Sequence, residues 1–234
     1  ISDLTGGEDR IAELEVEMQG AKKELLSQAK SLSKIRIAAA IKLSDAVSNE
    51  IHALSMPHTQ FSILINSPVY EGPLKESDFT TLGCDEVIMQ IQGHRDGPLS
   101  ALGKGASGGE MSRIMLALEV VLAQTHPVGT YIFDEVDAGV GGKAAIEVGR
   151  RLAVLAQHSQ VIVVTHLPQV AAWADTHFVV KKSSDGSISQ SDVEKLDTQN
   201  RIEEIARMLA GLESSSSARE HAAELLAMRE SISR

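Results

Sequence analysis

Two adjacent carboxylates stand where a short apolar run ends. Tyr131-Ile132-Phe133 is followed directly by Asp134 and Glu135, and ligands of open α/β sheets bind at the carboxyl ends of strands. A carboxylate fixed on a rigid strand suits Mg²⁺, which prefers oxygen ligands. The second carboxylate could then polarise a water molecule for attack on a phosphoryl group. Strand ends are also acidic for solubility, so these two residues alone do not decide the chemistry.

A histidine ends the next apolar run in the same way. Val161–Val164 is a continuous β-branched stretch, which predicts a strand buried on both faces of a parallel sheet. It ends at Thr165 and His166. A right-handed crossover would bring His166 to the same rim as Asp134, and other strands could lie between the two. His166 could there hydrogen-bond a phosphate, although a lone histidine is more often structural.

A third candidate lies at a predicted helix start. Ser107-Gly108-Gly109-Glu110 has the S-x-x-E spacing of a capping box. The same residues could form an anion site, because glycines let a ligand approach the free amides at a helix N-terminus. Both interpretations are compatible, since Glu110 can hold the Ser107 backbone while the remaining amides face a ligand.

The main phosphate cradle is missing from this sequence. A P-loop requires G-x-x-x-x-G-K-[ST], and Gly-Lys occurs only at Gly103-Lys104 and Gly142-Lys143. Neither has the preceding glycine or a following Ser or Thr. The candidate residues therefore predict only part of a nucleotide site.

A long helix precedes these residues. From about Glu8 to Met56 there is no proline and only one glycine, which favours a helix. Its apolar residues follow the alternating three-and-four spacing of a coiled-coil seam, which needs a partner helix from elsewhere; a helix packed on its own domain is the alternative. The seam comprises Ile11, Leu14, Met18, Ala21, Leu25, Leu32, Ile35 and Ala39, and the stripe then drifts to Leu43, Val47, Ile51 and Leu54.

The remaining elements alternate in the manner of an α/β protein. Helices are predicted over 110–124, 143–157 and 201–210 and after Ser214–Ser217. Met111, Ile114, Met115 and Leu118 should share one face of the first of these. The predicted strands are 61–65, 86–92, 131–133 and 161–164, with a hairpin of 178–181 and 188–196 and an irregular loop over 93–106.

The amino-acid composition limits the kinds of molecule and compartment that suit this chain. The formal net charge is −10, which disfavours wholesale nucleic-acid binding through a basic surface. A locally basic stretch lies on the arm, at Lys22, Lys23, Lys30, Lys34, Arg36 and Lys42, where a solvated helix face is the alternative. The single cysteine, Cys84, cannot form an internal disulfide and is expected to be a buried apolar residue. No run is long enough to span a membrane.

Taken in order, three stretches resemble the C-terminal half of an ABC-type ATPase head. ASGGE resembles the signature motif, YIFDEVDAG the Walker B motif with its D-loop, and VVTHLPQVA the switch-histidine loop. Three longer stretches are similar in sequence to the RecN family, the bacterial SMC-like DNA repair ATPases. They are LGKGASGGEMSRIMLALE, IFDEVDAGVGGKAA and VTHLPQVAAWAD. SMPHTQFSI and the preceding helix extend the resemblance over nearly the whole chain, with a local departure at residues 92–97.

The resemblance implies a role for each candidate residue. Asp134 would hold Mg²⁺, Glu135 would be the general base, and His166 would sense the γ-phosphate of ATP. Asp137 would lie in the D-loop at a dimer interface. The signature residues Ser107, Gly108, Gly109 and Glu110 would serve ATP bound to the opposite protomer.

The resemblance also implies an architecture and partners. The fold would be the C-terminal lobe of an SMC-type head with a parallel-sheet core, over residues 57–234, entered by a coiled-coil arm over 1–56. The partners would be an N-terminal half carrying the P-loop, a second protomer, DNA ends or single-stranded overhangs, and a recombinase. The protein would be cytoplasmic and associated with the nucleoid. The chain is then expected to be a fragment that is inactive alone. A nucleotide-binding domain of an ABC transporter and a non-hydrolysing tether are the alternatives.

Overall fold

The chain forms two compact units, described by a computed structural model for residues 2–70, 75–103, 106–123, 125, 128–182, 191–211 and 215–230. The first unit contains Ile1–Asp45 and Phe61–Ile91, and the second contains Ala46–Gln60 and Gln92–Arg234. The expected division into residues 1–56 and 57–234 stays a prediction. Within the described ranges, no helix is long and apolar enough to cross a membrane.

The predicted arm is one continuous helix, α1 (Ser2–Ala53), of 52 residues. Residues with high helix propensity and the absence of proline account for its length. Ile11, Leu14, Met18 and Leu25 of the predicted seam are between 44% and 59% exposed. This stretch of α1 therefore does not bury its apolar stripe on the chain's own domain, which was the alternative interpretation. Val47, Ile51 and Leu54 are fully buried, so the stripe beyond residue 43 does pack as predicted.

The first unit packs the middle of α1 beside two strands. The strands are β1 (Gln60–Asn66) and β2 (Glu86–Gln92), which are neighbours in one sheet. The side chains of Ala29, Ser33 and Ala40 are buried along α1. Ser44 Oγ accepts a hydrogen bond of 3.0 Å from the Ile63 amide of β1. Two 3₁₀ helices that the sequence did not predict, Pro68–Tyr70 and Glu76–Asp78, lie between the strands in the chain.

A buried carboxylate secures this packing. The Asp85 side chain is 1% exposed, and it accepts hydrogen bonds from Ser33 Oγ at 2.5 Å and Arg36 Nη1 at 2.9 Å. Burial alone would raise the pKa of Asp85, but hydrogen bonds from Ser33, Ser67 and Arg36 together lower it. Arg36 also donates to the Leu82 carbonyl at 2.7 Å. Among the basic residues of the arm, Arg36 is thus engaged within the fold.

The second unit contains the predicted strand–helix–strand unit. A two-residue strand, β3 (Ser100–Ala101), interrupts the predicted irregular loop and is followed by α2 (Gly108–Leu122). Then come β4 (Thr130–Phe133), α3 (Gly142–Leu155) and β5 (Gln160–Val163). Strands β4 and β5 pair in parallel and directly, with Tyr131 opposite Val161 and Phe133 opposite Val163. The predicted parallel arrangement of the two strands is confirmed.

The prediction that the β5 run is buried on both faces is wrong for this chain. Ile162 is 45% exposed and Val164 61%, and Ile132 of β4 is 72% exposed. The alternate side chains of β4, Tyr131 and Phe133, are buried. Because successive side chains of a strand point to opposite faces, one face of the β4–β5 pair is covered and the other is open. The β-branched composition correctly indicated a parallel strand, but composition cannot show what covers each face.

The C-terminal part closes the second unit. A four-residue helix that the sequence did not predict, α4 (Pro168–Ala171), precedes an antiparallel pair, β6 (Phe178–Lys182) and β7 (Ser191–Lys195). The pairing of the predicted hairpin is confirmed, while its turn lies outside the described residues. Helices α5 (Thr198–Ala210) and α6 (Ser216–Glu230) follow as predicted. Their core contains Ala171, Ala172, Ile205, Ala206, Ala222 and Leu225.

Candidate functional site

The carboxyl ends of β4 and β5 bring the predicted residues to one rim. Phe133 and Val163 are partners in the parallel register, and the Val164 amide donates to the Phe133 carbonyl at 3.0 Å. Asp134 therefore leaves the sheet beside the segment that leads to His166. The sequence predicted this shared rim from the right-handed crossover, and the pairing confirms it.

Glu135 lies in a strained turn next to the start of α2. It is a non-glycine residue with φ of 57°, a left-handed conformation that side chains rarely adopt. The turn is closed by a 3.0 Å hydrogen bond from the Ala138 amide to the Glu135 carbonyl. A Cβ added at Gly108 would lie 3.4 Å from Glu135 Oε2, so the carboxylate lies beside the N-terminus of α2 in the same chain. That is the end of a helix that favours an anion.

Gly109 allows α2 to approach this turn. A Cβ at Gly109 would lie 2.8 Å from the Ala138 Cβ and 3.0 Å from the Ala138 carbonyl oxygen. Both distances are shorter than a normal contact, so a larger residue would push α2 away from the turn. The second glycine of the predicted signature thus has a packing role in addition to any role toward a ligand.

The predicted capping box starts α2. Ser107 Oγ accepts from the Glu110 amide at 3.4 Å, and Glu110 Oε2 accepts from the Ser107 amide and from Ser107 Oγ, each at 2.9 Å. The backbone and side-chain hydrogen bonds from Ser107 lower the pKa of Glu110. The geometry confirms the capping box and shows that Glu110 is engaged by Ser107.

Asp134 and Glu135 are exposed at the rim, so a cation could reach them. Asp134 lines an open cavity of about 280 Å³ whose other walls come from α2 and β4, and Ser112 Oγ donates to the Asp134 carbonyl at 3.1 Å. Among the described residues, no group of three or more His, Cys, Asp or Glu side chains could enclose a metal. Mg²⁺ needs no such group, because it is bound through one or two carboxylates together with waters and phosphate oxygens. Two adjacent carboxylates on a strand end fit that donor set.

Asp137 differs from its two acidic neighbours because it is buried. Only 2% of the residue is exposed, and its Oδ2 accepts a short hydrogen bond from Thr165 Oγ1. His166 Nδ1 lies 3.7 Å from the same oxygen. Within the chain this carboxylate faces the segment after β5, and the interface role implied for Asp137 stays a prediction.

Sequence reasoning missed two residues that hold the rim together. Arg113 of α2 is buried and donates from Nη1 to the Ala138 carbonyl at 2.7 Å, and its burial lowers the pKa of the guanidinium. Thr165 connects Asp137 to the Leu167 amide, which donates to Thr165 Oγ1 at 3.0 Å. The sequence offered a signal for the buried role of Arg113, because a basic residue within an otherwise apolar helix needs an explanation. A threonine at the end of a strand gave none.

Solved structures with a similar fold are SMC heads. The Smc head domain with a coiled coil and joint from Pyrococcus yayanosii superimposes with a TM-score of 0.52 at 20% identity, over 73% of this chain and 29% of that one. A Smc head domain from Pyrococcus furiosus gives a TM-score of 0.50 at 21% identity, over 71% of this chain and 37% of that one. At these identities the likeness concerns the fold alone. The fold is therefore that of an α/β lobe of an SMC-type head.

Sequence relatives give the family, although no protein-family model matches the chain. DNA repair protein RecN of Streptomyces coelicolor is 49% identical over 214 residues, which is 90% of this chain and 37% of that protein. RecN of Mycobacterium leprae is 47% identical over 95% of this chain, and RecN of Bacillus subtilis is 35% identical over 97%, covering 38% and 40% of those proteins. The chain belongs to the RecN family. It spans roughly two fifths of the length of these relatives.

Proposed function

We propose that this chain supplies one part of the ATP-binding and ATP-hydrolysing head of a RecN-type DNA repair protein. ATP would join two heads, and hydrolysis would release them during double-strand-break repair. The observation that carries the proposal is the rim itself. Asp134 with Glu135 and Thr165 with His166 follow the ends of two directly paired parallel strands, and the Glu135 carboxylate lies beside the N-terminus of α2.

Each side chain at the rim has chemistry suited to a triphosphate. Asp134 would hold Mg²⁺, which neutralises charge on the phosphate oxygens when bound. Glu135 would accept a proton from the attacking water, and His166 would hydrogen-bond the γ-phosphate. The exposed position of Asp134, Glu135 and His166 supports these roles, since each can reach a ligand without unfolding of the rim.

The start of α2 would bind the γ-phosphate of ATP held by the opposite protomer. Ser107, Gly108 and Gly109 offer a hydroxyl and backbone amides at a helix N-terminus, where an anion is stabilised. The Glu135 carboxylate lies beside Gly108 in this chain. A phosphate at these amides would replace that carboxylate as the local anion and leave Glu135 free to contact water.

The remaining phosphate donors would come from the other part of the RecN length. This sequence contains no P-loop, and it covers 37% of the Streptomyces coelicolor relative. The further partners proposed are DNA ends or single-stranded overhangs and a recombinase. The proposed location of the protein is the cytoplasm, in association with the nucleoid. The 234-residue chain alone should hydrolyse ATP negligibly, and robust turnover by that purified chain would contradict the division of the site.

The test is Glu135→Gln in the full-length protein. The amide cannot accept the proton, so turnover should fall by at least about 100-fold while an ATP-bound dimer accumulates. The measurements are phosphate release and sedimentation with ATP and Mg²⁺. Glu220→Gln, at an exposed acid of α6, is the matched control and should change neither.

Two results would overturn the proposal. If the Glu135→Gln protein keeps its turnover and its dimer lifetime, Glu135 is not the base. If the unmodified full-length protein binds ATP without hydrolysing it, the chain belongs to a non-hydrolysing tether.

A further inference from the structure

A buried carboxylate lies directly behind the exposed histidine of the rim. Asp137 is 2% exposed, whereas the His166 side chain is 76% exposed. The distance from His166 Nδ1 to Asp137 Oδ2 is 3.7 Å. The His166 ring is therefore mostly exposed to solvent, and its Nδ1 atom lies near the Asp137 carboxylate.

Thr165 fixes that carboxylate. Its hydroxyl donates to Asp137 Oδ2, and the Leu167 amide donates to the same hydroxyl at 3.0 Å. A buried carboxylate needs donors, because burying a charge without a hydrogen-bond partner is strongly unfavourable. The Thr165 hydroxyl is such a donor, and it joins the turn after β4 to the segment after β5.

We infer that Asp137 is a positioning residue for His166: its carboxylate, anchored by Thr165, holds the imidazole with Nδ1 inward and Nε2 available to the phosphate. The inference rests on the proposed ATPase function. A carboxylate behind a histidine fixes the orientation of the ring and the nitrogen that carries the proton. Without it, an imidazole that is 76% exposed would sample several rotamers, and fewer of them would meet the phosphate.

A purely structural role makes a different prediction. If Asp137 only secures the turn, its replacement should lower stability and affect ATP binding and hydrolysis alike, whether or not His166 is present. If Asp137 acts through His166, its replacement should lower kcat with little effect on KM, and only while His166 is present.

The experiment is a double-mutant cycle in the full-length protein, with ATP turnover as the readout. Asp137→Asn keeps an oxygen that can accept from Thr165 but loses the charge. It should lower kcat about 10- to 100-fold, by analogy with the loss when the carboxylate partner of a metal-ligating histidine is removed, with KM for ATP within about twofold. In a His166→Ala background the same change should have no further effect on kcat. Asp192→Asn, at an exposed acid of β7, should leave turnover unchanged.

Thr165 provides a second arm. Thr165→Val removes the hydroxyl at nearly constant shape and should reduce kcat as Asp137→Asn does. Thr165→Ser keeps the hydroxyl and should keep kcat close to that of the unmodified protein. Multiplicative losses from Asp137→Asn and His166→Ala would overturn the inference, and so would full activity of Thr165→Val. These outcomes differ from failure of the proposed function, in which the unmodified protein shows no turnover or His166→Ala has no effect.

Discussion

Arg151 of α3 donates from Nε to Glu50 Oε2 of α1 at 2.9 Å, across 101 positions of sequence. The Arg151 side chain is 10% exposed and Glu50 is 29% exposed, so much of the pair is removed from water. Arg151 also contacts Glu147 one turn earlier in α3. Because α3 follows the turn that carries Asp137, this pair connects the last turns of α1 to the helix that leaves the rim.

Replacement of this arginine should be costly. Arg151→Met leaves the Glu50 carboxylate without its cation, and we expect the free energy of unfolding to fall by about 3 kcal/mol. Arg150→Met is the matched control, because Arg150 contacts the same Glu147 at 3.1 Å but is 39% exposed; it should cost less than about 1 kcal/mol. Urea unfolding of both variants measures the difference, and equal losses would show that the Glu50 pair contributes little.

A glycine of α3 makes room for the single tryptophan. A Cβ at Gly149 would lie about 3.0 Å from Trp173 Nε1 and closer still to other ring atoms. Gly149→Ala should therefore destabilise the protein by about 1–3 kcal/mol through overpacking and shift the fluorescence of buried Trp173. Gly20→Ala, on α1 with nothing within 4 Å, should instead be neutral or stabilising by up to about 1 kcal/mol. Unchanged stability and fluorescence of the Gly149 variant would contradict this close packing.

Two serines that cap helices allow an effect on stability to be distinguished from an effect on phosphate binding. Ser107 caps α2, and the Ser215 hydroxyl accepts from the Ala218 amide at the start of α6. Each change to alanine should cost about 1 kcal/mol of stability. Only Ser107→Ala should also weaken ATP-dependent dimerisation of the full-length protein, by about tenfold or more, since it removes a phosphate donor. Sedimentation with ATP measures the dimer, and an equal loss in the Ser215 variant would point to stability alone.

His177 should make the fold less stable in mild acid. Burial, reinforced by the charge of Arg201, lowers the pKa of His177. The unfolded chain then binds a proton that the folded chain does not, so the free energy of unfolding should decrease as pH falls below about 6.5 and level off below the folded pKa. His177→Gln should flatten this decrease, whereas His158→Gln, at an exposed position, should not. Urea unfolding between pH 7.5 and 5 measures it, and a decrease retained in the His177 variant would assign it to other groups.

Local signals in the sequence predicted most elements and several site contacts. The proline-free composition of α1, the S-x-x-E spacing at Ser107 and the β-branched run at Val161 each reflect preferences that act over a few residues. The shared rim of Asp134 and His166 also followed, because the handedness of a parallel crossover is nearly fixed.

Other features depend on residues distant in sequence and could not be predicted. The left-handed turn at Glu135 and the hydrogen bond from Thr165 to Asp137 arise only when two loops meet. Likewise, the exposure of Ile132 and Ile162 depends on which segments cover the sheet, which strand propensity does not encode. The four residues of α4 are too few for a periodic pattern.

The hydroxyl of Ser107 has a single proton, and in this chain that proton is directed to Glu110 Oε2 at 2.9 Å. A phosphate that accepts from the same hydroxyl must take the place of the carboxylate oxygen, so its recognition is an exchange between two acceptors rather than the addition of a new bond. Glu110 can keep the Ser107 amide during that exchange. The hydroxyl then contributes to phosphate binding the difference between the bond to the phosphate and the bond to the carboxylate, rather than the full strength of a new bond.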